Sequence, residues 1–421
     1  MASGLLPKGW NEVELGSVLK RIKRPVDLDS ARTYREIGIR SHGKGIFHKE
    51  ERTGESIGEK SVFWVEPDCF IVNIVFAWEQ AIAKTTASEK GMIASHRFPM
   101  FKPVQGKLDL DYLVYFFNSP RGKYLLGLAS PGGAARNKTL GQQEFLNLTI
   151  PLPSYNEQCK VVEILSTWDK AIALGEKLLA TKQRLKTGLI QKLTIGSLRF
   201  QEFVVSPKRK LSLFGEIPLD WSVEKIEDVA SVAFSNVDKV IEKNETPVLL
   251  CNYLDVFNNS FITNDLPFMK ASAKKREIDK FTLFKGDVII TKDSETAEEI
   301  AEAAVVAEEL KNTICGYHLA VIRPHNNKID GTFLMYVLHN QKIRHQFVKS
   351  ANGVTRYGLT TDSINRAKII IPSLPEQQKI SSSIKVVDTE ISLFNKKLSV
   401  LKRQKKGLMQ KLLSGQIRVK V

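Results

Sequence analysis

Cysteine is scarce: Cys69, Cys159, Cys251 and Cys315 are scattered through 421 residues, with no CxxC pair and no Cys/His cluster. That spacing excludes a disulfide framework and a zinc motif, so no metal ligands are expected. Long apolar runs are also missing. No stretch approaches the roughly 18 uncharged apolar residues that a membrane helix needs, and the opening MASGLLPKGW lacks the apolar core of a signal peptide. The expectation is a cytoplasmic chain with no membrane contact. Motifs of nucleotide and methyl-transfer chemistry are absent too: there is no glycine-rich cofactor loop, no Walker lysine and no Asn-Pro-Pro-Tyr-like segment. The stretch PDCFIVNIVFAWEQA offers Pro67, Asp68 and Glu79 in nuclease-like order, yet Ala81 stands where the lysine belongs. No catalytic residue is therefore assigned.

What the chain has in excess is positive charge: 62 Lys and Arg against 46 Asp and Glu, a net +16. The basic residues are spread through both halves instead of forming a tail, which points to a polyanion with a long footprint, nucleic acid first. A chain of this length also exceeds what one hydrophobic core usually serves.

The second excess is repetition. KTGLIQKLTIG, starting at Lys186, returns as KKGLMQKLLSG, starting at Lys405, an offset of 219 residues (405 − 186 = 219). At the same offset Ser154 matches Ser373, Glu157 matches Glu376, Gln158 matches Gln377, Asp169 matches Asp388 and Arg184 matches Arg403. Each copy opens with Ser-x-x-Glu, SYNE and SLPE, the signature of a capping box. Apolar residues then recur in steps of three and four: Ile384, Val387, Ile391, Phe394, Leu398 and Leu401 in the second copy, Leu165, Trp168, Ile172, Gly175 and Leu179 in the first. This heptad seam predicts two helices of roughly 40 residues, about 60 Å each. A narrow stripe needs a facing stripe, and the simplest partner is the other copy, packed antiparallel. Gly188 and Gly407, matched inside these helices, suggest a close approach or a kink, because glycine there costs about 1 kcal/mol relative to alanine.

The segments between the helices align more weakly. Pro7 and Trp10 parallel Pro218 and Trp221; Pro103, Leu113 and Tyr115 parallel Pro324, Leu334 and Tyr336. Buried strands are predicted in TPVLLCNYLDV, KGDVIITKD and PDCFIVNIVFAW, and one amphipathic helix in each of LDYLVYFFNSPRGKYLLGLAS and DGTFLMYVLHNQKIRHQFVKS. The expected fold class is α+β: two globular domains alternating with two long helices that form an antiparallel coiled coil, as a pseudo-twofold internal repeat. The expected boundaries are 1–152 (first domain), 153–198 (helix), 199–217 (linker), 218–371 (second domain), 372–415 (helix) and 416–421 (tail).

Nucleic-acid contacts are expected on loops and strand ends, where Arg and Asn can bond base edges and Lys can neutralise phosphate. The loop SPGGAARNKTL places Arg136, Asn137 and Lys138 together; its counterpart SANGVTRYGLT places Thr355, Arg356 and Tyr357 there. The glycine-flanked IRSHGKGIF offers Arg40, Ser41, His42 and Lys44. ASHRF contributes His96 and Arg97, paralleled by Tyr317 and His318 in GYHLA, while Asn252, Tyr253 and Lys292 follow predicted strands.

Two divergent domains, two closely repeated helices, and junctions reading Ile-Pro then Glu-Gln (IPLPSYNEQ and IPSLPEQQ) together resemble the specificity (S) subunit of type I restriction-modification systems, over essentially the whole chain. The resemblance implies a non-catalytic reader of double-stranded DNA. Each domain would be a target recognition domain for one half of a bipartite, asymmetric site. The helices would act as spacer and as dock for two methyltransferase (M) subunits, joined by motor-nuclease (R) subunits in the full complex. No cofactor would be bound by this chain; S-adenosylmethionine, used for adenine methylation, would belong to the methyltransferase. A coiled-coil interaction scaffold explains the helices but neither the paired domains nor the charge. A nucleic-acid enzyme acting without such partners lacks its motifs.

Overall fold

The computed structural model describes residues 6–132 and 138–420. They form two compact units, the first of residues up to 176 and from 396 onward, the second of 177–395. The repeat folds as two uninterrupted helices, Tyr155–Leu193 and Leu374–Leu413, of 39 and 40 residues. Each helix therefore contributes one segment to each unit.

Within each unit the two helices run antiparallel, because partner numbers fall on one as they rise on the other. In the first unit Asp169 pairs with Lys405 (2.5 Å) and Glu176 with Lys402 (2.6 Å). In the second, Lys182 pairs with Glu390 (2.6 Å) and Lys186 with Asp388 (2.5 Å). The seam position that lacks a side chain, Gly175, is covered by Leu398, whose Cδ1 lies 3.2 Å from where a Cβ would stand. Gly188 and Gly407 do not make the expected close approach: a Cβ at either would meet nothing within 4 Å, and the helix continues through both. Nothing in the structure explains them.

The helix ends differ from the predicted caps in an instructive way. Ser154 Oγ accepts from the Glu157 amide at 3.3 Å, but neither glutamate folds back on its serine. Glu157 instead receives Arg418 through two bonds of 2.6 and 2.8 Å, and Glu376 receives Arg199 through two of 2.8 Å. A carboxylate this buried gains more from a bidentate guanidinium than from a neutral amide. The helices stop at Gly196 (φ 67°) and Gly415 (φ 70°), both left-handed. The amides of Gly196 and Ser197 return to the carbonyls of Leu193 and Lys192, the pairing of a Schellman end. A Cβ on Gly196 would collide with Pro218, and one on Gly415 with Pro7. The weak parallel of Pro7 and Trp10 with Pro218 and Trp221 thus has a cause: each pair seats the end of a long helix.

The first unit carries two four-stranded sheets. One runs in the order Leu19–Ile22, Met100–Pro103, Phe70–Val72, Ile82–Lys84, antiparallel throughout. The other runs Ile46–Thr53, Thr33–Ile39, Ile93–Ser95, Val62–Trp64, with one parallel pairing at its centre. The second unit repeats this plan. Ala230–Phe234, Leu319–Pro324, Val288–Thr291 and Ala303–Val306 follow the first order, with Phe261–Ile262 added at the edge. Met269–Ala273, Thr246–Cys251 and Thr313–Cys315 follow the second, again with one parallel pairing. In both units a short antiparallel pair closes the domain just before its long helix: Asn11–Glu14 with Thr149–Leu152, and Ser222–Lys225 with Lys368–Ile371.

Each predicted amphipathic helix is in fact two. Leu110–Asn118 and Pro120–Leu128 break at Ser119, which caps the second helix while Pro120 takes its first position. Gly331–Leu338 and Gln341–Ser350 break at Asn340, again a capping residue. The first helix of each pair packs into the core beside both long helices. In the first unit Leu113, Phe116 and Phe117 join Val161, Leu165, Leu412 and Leu413; in the second, Phe333 and Val337 join Ile190, Leu193, Ile380 and Ile384. Fully burying a side chain of this size contributes about 1.5–3 kcal/mol.

Polar ties repeat as well. The Gln158 amide accepts from Asp109 N and donates to the Lys107 and Pro153 carbonyls; Gln377 does the same with Asp330, Lys328 and Pro372. Tyr115 donates to Asp169 (2.6 Å) and Tyr336 to Asp388 (2.7 Å). Burial first, and then the neighbouring carboxylate, push both phenols well above their ordinary range, so each remains a donor.

Candidate nucleic-acid interface

In the first unit the candidate residues gather around one segment, Asn73–Gln80, which leaves the buried strand Phe70–Val72 and turns through a short 3-10 helix. The loop after Thr33–Ile39 is strapped to it: His42 N donates to Glu79 O (2.7 Å), Gly43 N to Gln80 O (2.9 Å), and Ser41 Oγ to Glu79 Oε2 (2.9 Å). His42 (φ 62°) and Gly43 (φ 64°) both take left-handed backbone, and a Cβ on Gly43 would lie 2.1 Å from Asn118 Oδ1, so a larger residue there would be strained and would displace the Asn118 amide. Arg40 leaves this group and lies over the Phe47 ring at 4.8 Å, while Lys44 is exposed. The turn with His96 and Arg97 reaches the segment from the other side, Arg97 O accepting from Ile74 N at 3.0 Å. Lys138 sits 5.7 Å from the Trp78 ring, and two residues on, Leu140 N donates to Ile74 O at 2.8 Å. Arg136 and Asn137 lie outside the described residues.

His96 and Arg97 also line an open cleft of about 850 Å³ whose walls carry Lys49, Arg52 and Lys60 against Glu36, Glu50 and Glu59, Lys49 pairing with Glu36 at 3.6 Å, and Phe76 lines it too. Phe76 is 45% exposed. Counting Arg97, the lining keeps a small positive excess, which suits contact with a polyanionic backbone.

The second unit builds the equivalent place from different side chains. Lys292 takes the position of Ile74: its amide donates to His318 O as that of Ile74 does to Arg97 O, and its carbonyl accepts from Leu359 N as that of Ile74 does from Leu140 N. The pairing of His96 and Arg97 with Tyr317 and His318 is thus reproduced by backbone bonds. Lys292 Nζ donates to Ser235 O (3.0 Å) and lies between the Phe234 and Tyr317 rings, 5.1 and 4.9 Å from their centroids. His318 Nδ1 meets Asp293 Oδ2 at 2.6 Å, and its ring stands edge-on to Tyr317. Asp293–Ser294 pairs with Tyr357–Gly358, which brings Tyr357 in; Thr355 and Arg356 project exposed from the loop this pairing closes. Asn252 caps the helix Tyr253–Phe257, and Tyr253 stacks on Phe257. Burial pushes the Tyr253 phenol up, with the neighbouring Ser294 hydroxyl opposing the shift.

Sequence reasoning missed Phe76, Trp78 and Gln80 in the first unit, and Phe234 and Asp293 in the second; Glu79 entered it only as a nuclease-like acid that was set aside. Aligning FIVN with VIIT, which sets Ile74 opposite Lys292, would have marked both segments. Among the described residues, no group of three or more His, Cys, Asp or Glu could hold a metal, and no helix is long and apolar enough to cross a membrane.

Two units of one topology, each bearing its own basic and aromatic rim and each built onto antiparallel segments of two repeated helices, define a duplicated nucleic-acid reader. The chain belongs to the type I restriction modification DNA specificity family, whose model matches residues 7–182 and 218–403; it is a specificity subunit of that class. Among relatives, the type I restriction enzyme MjaVIII specificity subunit of Methanocaldococcus jannaschii is 25% identical over 422 residues, covering 99% of this chain and 94% of that protein. The MjaIX specificity subunit of the same organism is 27% identical over 321 residues, 73% of this chain and 69% of that one. Two solved structures share the fold. One, from work on complex assembly and conformational transition of the type I R-M system, has a TM-score of 0.58 at 17% identity and covers 98% of this chain and 100% of that one. The other, the type I restriction-modification system S subunit from M. genitalium, has a TM-score of 0.55 at 14% identity and covers 96% of each chain.

Proposed function

We propose that each unit reads one half of a bipartite, asymmetric double-stranded DNA target, and that the helices between them set the gap. The observation that carries this reading is the repeated topology with unlike rims: Ile74, Arg97 and Lys138 on one side, Lys292, His318 and Tyr357 at the same backbone positions on the other. One frame with two sets of readers is what two different half-sites require. The repeated helices offer two equivalent surfaces, on which Leu174 and Leu393, matched in the repeat, are 69% and 61% exposed. These surfaces dock two methyltransferase subunits, with motor-nuclease subunits completing the restriction complex in the cytoplasm. This chain supplies no catalytic group. Adenine methylation and its S-adenosylmethionine belong to the methyltransferase, and cleavage belongs to the motor-nuclease.

The test is equilibrium binding by the chain assembled with its methyltransferase partner, at one fixed salt concentration, because phosphate contacts make any affinity salt-dependent. Duplexes carrying the motif methylated in the host should bind at least about a thousandfold more tightly than random duplexes; equal binding would refute the reading. Arg136→Ala and Arg356→Ala should each weaken or relax one half-site only. The expected loss is about 1–3 kcal/mol if the arginine bonds a base edge, read from single-base substitutions in each half-site.

A further inference from the structure

Asp169 and Asp388 each stand where three elements meet. In the first unit, one oxygen of Asp169 accepts from Tyr115 (2.6 Å), on the domain helix Leu110–Asn118, and the other from Lys405 (2.5 Å), near the end of the second long helix. In the second unit, Asp388 accepts from Tyr336 (2.7 Å), on Gly331–Leu338, and from Lys186 (2.5 Å), near the end of the first. All three positions recur in sequence, although the surroundings have diverged. His42, Gln80 and Asn118 share a cavity of about 420 Å³ with the first triad, whereas Lys186 of the second also reaches Ser260 Oγ (3.4 Å).

We propose that this duplicated Tyr-Asp-Lys triad is a positioning lock: it sets the angle at which each recognition domain stands on its pair of helix segments, and so the register in which the two half-sites are read. The assignment rests on the half-site reading given above. Apolar packing between the domain helix and the long helices is non-directional and tolerates rocking. A carboxylate holding a phenol and an ammonium through separate oxygens does not, because both bonds are short, charge-assisted and directional. The first lock also borders the His42 loop, which is strapped to the rim segment through Glu79. Tyr115 and Tyr336 act through the domains they hold, with no contact to DNA assigned to either.

The test uses Tyr115→Phe and Tyr336→Phe, singly and together, in the full chain assembled with its methyltransferase partner. Each substitution removes one hydroxyl and keeps the packed ring. Binding is measured to duplexes with the native gap and with gaps one base pair longer and shorter. The preference of wild type for the native gap should fall about tenfold in each single variant, the loss of one hydrogen bond to a charged group, and further in the double, while base discrimination inside each half-site stays the same. Lys186→Met with Lys405→Met, which opens the locks from the other helix, should give the same loss. Full gap discrimination in both sets of variants, with only a lower unfolding midpoint, would overturn the lock and leave the half-site reading standing. A wild-type complex indifferent to gap length would overturn both.

Discussion

Glu376→Ala is expected to lower the stability of the chain by about 3–5 kcal/mol, the usual cost of removing one member of a buried ion pair. The Glu376 side chain is 1% exposed and that of Arg199 is 7% exposed. Glu376 takes Arg199 through two bonds and also accepts from Trp221 Nε1 at 3.0 Å. Its carboxylate raises the Arg199 guanidinium above its ordinary value, with Asp220 adding to the effect. Alanine would strand a guanidinium and an indole N–H, so the loss should lie toward the lower end of that range because Asp220 still holds one edge of Arg199. The matching substitution in the first unit, Glu157→Ala, should cost less, about 1–3 kcal/mol. Its arginine, Arg418, is 41% exposed and can turn to water, and among the described residues Trp10 Nε1 has no partner to lose. Urea unfolding of the three proteins checks the order; equal midpoints for both variants would contradict it.

The second large effect is on the target itself. Deleting residues 176–182 and 395–401 removes one heptad from each helix, between the two locks, and preserves the seam register. The loss is about 10 Å of helix at 1.5 Å per residue, or roughly three base pairs at 3.4 Å each. With the variant, the methyltransferase complex should therefore methylate the same two half-sites across a gap shorter by about three base pairs. Sequencing the methylated sites reads this directly, and an unchanged gap would show that the helices do not set it.

The parts of this molecule that were legible in sequence are those governed by local periodicity and duplication. The long helices announce themselves because a seam from Leu165 to Leu193, and again from Ile384 to Leu412, must face a partner at every turn. The closing glycines, Gly196 and Gly415, match in the repeat, but their role was not legible, since the first helix was expected to run to 198 and the proline that presses on each left-handed end is seen only in the fold. Roles fixed by distant partners were not legible. Glu157 and Glu376 satisfy a capping pattern, yet arginines from beyond the opposite helix claim them. The rim residues are hidden for the same reason, since Glu79 holds the His42 loop and Asp293 holds His318 only after strands far apart in sequence have paired. The equivalence of Ile74 with Lys292 is carried by backbone bonds and hinted at only by the strands that precede them, since the two side chains themselves share no chemistry.

The most direct test of the central claim is long-read methylome sequencing of the host with and without this chain. The account predicts one bipartite, asymmetric adenine-methylated motif with a fixed gap, lost entirely when the chain is deleted. A methylation pattern that survives the deletion unchanged would contradict it.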